Sequence, residues 1–122
     1  MRRIHVKRAD DDSELWSVEV ADKWLDRLVG LIGRKSLEPG TGLYFPGTNS
    51  IHMLFMSFAI DCVFLRPTDH AADLHEVVAV KPNLRPWTGV VWFVRRARST
   101  IELDAGSAAH AGVKVGDRLR LA

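Results

Sequence analysis

The chain has 122 residues, 47% of them hydrophobic and 26% charged, with a formal net charge of +2. A chain of this size and composition can bury a core of its own, which excludes disorder along its whole length and predicts one domain over residues 1–122. Its single cysteine, Cys62, excludes an internal disulfide, and its longest apolar run, 51–65, is shorter than the roughly 20 residues of a membrane helix. Because no signal peptide is apparent either, we expect a cytoplasmic protein without a membrane partner.

Two stretches of alternating apolar and polar residues predict an N-terminal hairpin. In residues 3–8, Ile4 and Val6 alternate with charged side chains, and residues 14–20 repeat the pattern. Alternation of this kind is typical of a strand with one buried face. The intervening residues 9–13 contain three aspartates and are predicted to form the turn.

The pattern changes to helical spacing after Asp22, whose carboxylate suits the N-cap position. The apolar residues that follow recur every three or four positions and form one stripe: Trp24, Leu25, Leu28, Leu31 and Ile32. Gly33 is a typical stop signal, and Arg34 and Lys35 suit the negative end of the helix dipole. These residues predict the one main helix of the domain.

The rest of the chain has short runs of β-branched and aromatic residues, which favour strands. Predicted strands cover 51–55, 59–65, 74–80, 90–94, 100–103 and 119–121, and residues 43–45 form a short apolar run. For 51–55 and 59–65, periodicity alone also allows a helix. Pro82 and Pro86 interrupt the pattern around Trp87. Residues 105–117 are predicted to form one helical turn followed by a tight turn. Because strands and helices do not alternate, we expect no parallel doubly wound sheet. The expected fold is mainly β, a compact sandwich or partly closed barrel with the main helix over one opening or edge.

Two ionisable residues, His52 and Asp61, stand inside the longest apolar run. Burying either one without a partner is costly, so each needs a partner or an opening into a cavity. If their strands are antiparallel neighbours, the two side chains face each other as an acid–base pair suited to a hydrolase or lyase. A structural role is the stronger alternative, in which Asp61 accepts backbone amides or pairs with a guanidinium. For that guanidinium we choose Arg34 or Arg98.

Other chemistry lacks a recognisable motif. The histidines, the acids and Cys62 do not recur at the spacings of a zinc site, so no metal site is expected. No glycine-rich phosphate loop and no nucleophile elbow is present, and no cofactor is expected. Cys62 itself is expected to be buried and inert, because it lies in a continuous apolar run.

The segment 77–101 contains no acidic residue and five cationic ones: Lys81, Arg85, Arg95, Arg96 and Arg98. It also contains Trp87 and Trp92, for which core packing is the stronger interpretation, although Trp87 lies between a proline and a glycine, which favours exposure. Aromatic and basic residues together suit nucleic acid or another anion. A solvated basic face is the stronger interpretation, and binding of nucleic acid through 81–98 is a weaker alternative.

Several short blocks together resemble the DUF192 family of small bacterial and archaeal proteins, whose function is not established. The resembling pieces follow one another in order: 28–34 at the helix end, 42–45, 51–56, 60–65, 97–103 with 105–106, and 115–117. The ordered set is more specific than any single piece. The resemblance implies a mainly β, jelly-roll-like or barrel-like domain and no particular reaction.

The leading functional hypothesis is a small β domain that binds a small anionic ligand or a protein partner in a cleft near the helix end. Its ligand-binding residues are the ionisable residues that fall in the resembling blocks: Arg34, His52, Asp61 and Arg98. The rival hypothesis is the enzyme that uses His52 and Asp61 as an acid–base pair. A close contact between these two side chains in a pocket would favour the enzyme, whereas side chains sealed in the core would favour a structural role.

Overall fold

The computed structural model describes residues 2–21, 36–53, 57–91 and 93–122. The strands in these ranges are β1 (Arg3–Arg8), β2 (Glu14–Val20), β3 (Thr41–Pro46), β4 (Ile51–His52), β5 (Ile60–Pro67), β6 (Leu74–Leu84), β7 (Val90–Val91), β8 (Ser99–Asp104) and β9 (Arg118–Leu121). The same ranges contain one short helix, α1 (Ser107–His110), which confirms the helical turn predicted there. The predicted main helix after Asp22 lies outside the described residues.

Seven strands close into a barrel in the order β1-β2-β3-β8-β5-β6-β9, and β9 pairs back onto β1. Neighbouring barrel strands are antiparallel except for β2 and β3, which are parallel. A parallel pair needs a long connection, and about twenty residues separate these two strands. Strands β4 and β7 form a separate two-stranded sheet. The mainly β prediction is confirmed, and a closed barrel is the form that it takes.

The N-terminal hairpin follows the predicted alternation. Strands β1 and β2 are antiparallel, and Val6 lies opposite Trp16 as Ile4 lies opposite Val18. Val6, Trp16 and Val18 are buried. In the turn, Asp12 has a φ of 61°, a left-handed conformation that aspartate adopts more readily than most residues.

The barrel wall separates two hydrophobic cores. The inner core gathers buried side chains from around the barrel, among them Val63 of β5 and Ile101 of β8. The outer core covers the opposite face of the wall, where Cys62 and Phe64 of β5 pack together with Met53. Because β5 contributes to both cores, its first six residues are all buried. Burial on both faces explains why this strand is a continuous apolar run rather than an alternating one.

Outside the barrel, the described strands β4 and β7 are shorter than the strands predicted there. Strand β4 is confined to residues 51–52 and β7 to residues 90–91, whereas strands were predicted over 51–55 and 90–94. Residues 54–56 and Trp92 lie outside the described ranges. In the part of the chain that the structure describes, no helix is long and apolar enough to cross a membrane.

Strand β6 is longer than predicted and continues through Pro82 to Leu84. A bulge opposite Asp61 accounts for the extension. Between two regular pairs of β5 and β6, two residues of β6, Pro82 and Asn83, face one residue of β5. Proline has no backbone N–H to donate to the ladder, so a bulge tolerates it where a regular pair would not.

Candidate functional site

Asp61 has no exposed surface, although it carries a carboxyl group. Its Oδ2 atom accepts hydrogen bonds from the backbone N–H groups of Gly106 and Ala108, both at 3.0 Å. Its Oδ1 atom accepts one from the backbone N–H of Asn83, at the β6 bulge, at 2.8 Å. These three donors replace the water that the buried group has lost, which confirms the amide-bonded alternative among the structural roles. The side chain therefore ties the start of α1 and the β6 bulge to β5.

The choice of Arg98 as the partner of Asp61 is wrong. The backbone N–H of Arg98 donates to the carbonyl oxygen of Leu65 at 2.8 Å, near the far end of β5. The stretch of strand from Asp61 to Leu65 spans about 13 Å, too far for a direct ion pair with a side chain that is itself exposed. Arg34, the other choice, lies outside the described residues.

His52 is not brought opposite Asp61 by strand pairing. His52 lies on β4 and pairs with Val90 of β7, whereas β5 pairs with β6 and β8. The condition under which the two side chains would face each other, antiparallel neighbouring strands, is therefore not met. The side chain of His52 lies outside what the structure describes. The oxygens of Asp61 accept backbone amides and the residue has no exposed surface, so these contacts assign the carboxyl group a structural role.

Glu102 is a second buried acidic residue, and it is not among the site residues predicted from the sequence. It lies on β8 directly opposite Cys62 of β5 and Leu43 of β3, on the face that the outer core covers. The residue is only 7% exposed. Burial raises the pKa of its carboxyl group from an ordinary value of 4.5 to about 8, so this group holds a proton at neutral pH.

Cys62 is buried in the outer core, as predicted. Burial raises the pKa of its thiol well above the ordinary value, and the nearby acidic groups of Glu102 and Asp61 raise it further. The thiol form, which is a poor nucleophile, is thus favoured. Within the described ranges, no group of three or more His, Cys, Asp or Glu side chains is placed to hold a metal ion.

The chain after β6 forms the most apolar exposed region in the described part of the protein. Trp87 is 54% exposed, Val90 41% and Phe93 68%. Trp87 is thus exposed, as its proline and glycine neighbours favour, and not packed in the core. The five cationic residues of the acid-free segment are exposed in the same stretch of the chain. We refer to these eight exposed residues as the 81–98 surface: Lys81, Arg85, Trp87, Val90, Phe93, Arg95, Arg96 and Arg98.

Trp87 is held by a tightly bonded turn. Its backbone N–H donates to the carbonyl oxygen of Met53 at 2.9 Å, and the N–H of Met53 donates to the carbonyl of Gly89 at 2.9 Å. Gly89 in turn donates to the carbonyl of Arg85 at 3.0 Å. A Cβ atom on Gly89 would lie 2.8 Å from that carbonyl oxygen and 2.9 Å from Cγ of Met53, so only glycine fits. Trp87 itself has a φ of 66°, an uncommon conformation that these contacts impose.

The cationic side chains of the 81–98 surface form no ion pair with acidic residues in the described part of the chain. The ion pairs found there join other residues, such as Arg8 with Asp117 at 3.2 Å and Arg120 with Asp73 at 3.2 Å. Their positive charge is thus not neutralised by described residues of the protein itself. A surface of this kind attracts anions at short range.

Two shallow pockets lined by described residues lie elsewhere, beside β1 and β9. The larger one measures about 460 Å³ and is lined in part by Arg8, Asp117 and Arg118. The other lies next to His5 and Glu14, which form a surface ion pair. Neither pocket contains Asp61 or Arg98, so neither is the predicted cleft near the helix end.

The fold and these contacts define a small closed β-barrel domain covered on one side by a second core. Its family follows from the sequence: the DUF192 family model, described as uncharacterized ACR, matches residues 5–121. The chain therefore belongs to the DUF192 family, and the suggested resemblance is confirmed. No curated protein matches the chain.

Two solved structures share the fold. A putative transcription regulator from Sinorhizobium meliloti 1021 superposes with a TM-score of 0.78 at 24% sequence identity, over 98% of this chain and 92% of that one. A protein of unknown function from Novosphingobium aromaticivorans DSM 12444 superposes with a TM-score of 0.76 at 20% identity, over 97% of this chain and 83% of that one. At these identities the similarity establishes the architecture alone.

Proposed function

We propose that this protein is a binding domain whose 81–98 surface holds an anionic partner. The observation that carries the proposal is the joint exposure of arginines and large apolar side chains on an acid-free segment. Of the ligand-binding residues predicted from the sequence, Arg98 belongs to this surface. Asp61 supports the domain from inside, since it anchors α1 and β6. The predicted cleft near the helix end would lie beside residues outside the described ranges.

Binding of polyanions to charge-reversal variants tests the proposal. The protein should bind fluorescent polyglutamate or heparin saturably at low salt, and added salt should weaken the complex. Arg95→Glu combined with Arg98→Glu should lower the affinity at least about tenfold, because two attractive charges become repulsive. Lys114→Glu combined with Arg118→Glu is the matched control, since it changes the net charge equally at exposed positions outside the surface. Absence of binding to both polyanions, or equal losses in both double variants, would contradict the proposal.

Nucleic acid is the second candidate partner. Exposed Trp87 and Phe93 suit stacking on bases, and arginines suit contacts with phosphates. The name of the Sinorhizobium meliloti protein, a putative transcription regulator, agrees with this candidate. The hydrolase or lyase hypothesis draws no comparable support from the contacts of Asp61. We retain a cytoplasmic location as part of the proposal, to be tested by cell fractionation, because a buried free thiol suits a reducing compartment.

A further inference from the structure

The apolar side chains of the 81–98 surface point to a partner that offers more than negative charge. Trp87, Val90 and Phe93 are exposed at every third position of one short stretch. A simple anion gains nothing from them, whereas a partner with apolar side chains would bury them on binding. Tryptophan and arginine are also the residues that most often dominate the free energy of protein–protein binding.

The kind of cation on this surface favours a protein over a polyanion. Four of the five cationic residues are arginines. Arginine is enriched in protein–protein interfaces and lysine is depleted there, whereas contacts with phosphate backbones use both. The whole chain has a net charge of only +2, because its 15 acidic residues nearly balance its 17 lysines and arginines, although all 15 lie outside the segment 77–101. The long-range attraction that a nucleic acid exploits is therefore small, and short-range contacts must supply the affinity.

The turn that carries Trp87 reduces the entropy lost on binding. The hydrogen bonds among Met53, Arg85, Trp87 and Gly89 fix the backbone before a partner arrives. A rigid aromatic residue presented in this way loses little conformational freedom when it is buried. Resting on the proposed function, we infer that the occupant of the 81–98 surface is an acidic protein segment in which carboxylates are interspersed with apolar side chains.

Two synthetic peptides of equal length and equal negative charge test this inference. In one, glutamates alternate with leucines and phenylalanines, and in the other they alternate with serines and glycines. The apolar peptide should bind at least about tenfold more tightly, because only it can bury Trp87 and Phe93. Trp87→Ala or Phe93→Ala should abolish this preference, while Val115→Ala, at an apolar residue 64% exposed elsewhere, should preserve it. Denaturation midpoints of the variants establish that each one is folded.

The outcomes separate the inference from the proposed function on which it rests. If both peptides bind equally, or if an oligothymidylate or phosphatidylserine vesicles bind more tightly than the apolar peptide, the inference is overturned and anion binding stands. If no peptide, oligonucleotide or vesicle binds, both the inference and the proposed function fail. Preferential binding of the apolar peptide that depends on Trp87 and Phe93 supports both.

Discussion

Asp61 and Glu102 are acidic residues on neighbouring barrel strands, one residue apart in register, and they face opposite cores. Asp61 lies on the inner face and accepts three backbone amides. Glu102 lies on the outer face beside Cys62, where burial alone raises the pKa of its carboxyl group to about 8. Two buried acids of one sheet are thus accommodated by different means, hydrogen bonding in one case and protonation in the other. The difference follows from the backbone N–H donors, which are available to Asp61 on the inner face.

The largest expected effect is the dependence of stability on the ionisation of Glu102. The folded protein holds this proton up to a pH of about 8, whereas the unfolded chain releases it near the ordinary value of 4.5. The stabilisation is therefore complete below pH 4.5 and is lost as the pH rises to about 8, an overall loss of about 5 kcal/mol. Glu102→Gln, which imitates the protonated form, should remove this pH dependence.

Urea denaturation of the wild type and Glu102→Gln across this pH range measures the effect. The variant should be the more stable protein at pH 8, and the difference should shrink towards pH 4.5. Glu38→Gln, at an exposed glutamate, is the control and should follow the wild type. Parallel stability curves for the wild type and Glu102→Gln would show that water reaches the carboxyl group.

Asp61→Asn should lower the free energy of unfolding by about 3 kcal/mol, or prevent folding. The asparagine NH₂ group would face backbone N–H donors, so at least one buried donor would lose its acceptor. Asp104→Asn, at the end of β8, is the control and should be mild. Chemical denaturation of both variants decides the matter. If Asp61→Asn kept the wild-type midpoint, the amide cluster would not be a structural anchor.

A smaller effect is expected at Thr100, which lies on the same face as Glu102. Its hydroxyl group donates to the backbone carbonyl of Thr48 at 2.8 Å. This bond joins β8 to the chain segment between β3 and β4. Thr100→Val removes this bond at nearly constant volume and should lower the free energy of unfolding by about 1 kcal/mol. Thr88→Val, at an exposed threonine, should leave the denaturation midpoint unchanged. Equal effects of the two substitutions would show that the hydrogen bond between Thr100 and Thr48 does not contribute to stability.

The reactivity of the Cys62 thiol reports whether the outer core excludes solvent, and this test requires no substitution. Its buried thiol should react with a thiol reagent far more slowly in the native protein than in urea, because both burial and the raised pKa oppose attack. The labelling rate is measured by mass spectrometry under native conditions and in denaturant. Rapid labelling of Cys62 in the native protein would show that solvent reaches the outer face of the barrel, on which Cys62 and Glu102 both lie.

The local features of the fold could be predicted because they depend on short-range patterns. Alternation around Val6 and Val18 predicts the hairpin, and the largely apolar, non-alternating sequence of β5 predicts a buried strand. The extent of β6 could not be predicted in the same way. Pro82 reads as a breaker, and only the bulge opposite Asp61 lets the strand continue through it.

The candidate sites were predictable only in part, because their partners are backbone groups or lie far apart in the sequence. The donors to Asp61 are amides of Asn83, Gly106 and Ala108, and a backbone amide has no signature in a sequence. Along β8, Glu102 alternates with apolar residues that face the inner core, a pattern that predicts a solvent-exposed side chain. A second core covers that face, which alternation within one strand cannot show. The exposure of Trp87 was predictable, since its proline and glycine neighbours favour a loop.

The most direct test of a barrel wall sealed on both faces is the pKa of Glu102, measured by NMR titration of its side-chain carboxyl carbon. Comparison with Glu102→Gln assigns the resonance. A titration midpoint near 8 is expected, because the outer core removes water from this group. A midpoint near the ordinary value of 4.5 would contradict it, since that result requires a hydrated carboxyl group on the face where Cys62 and Glu102 lie.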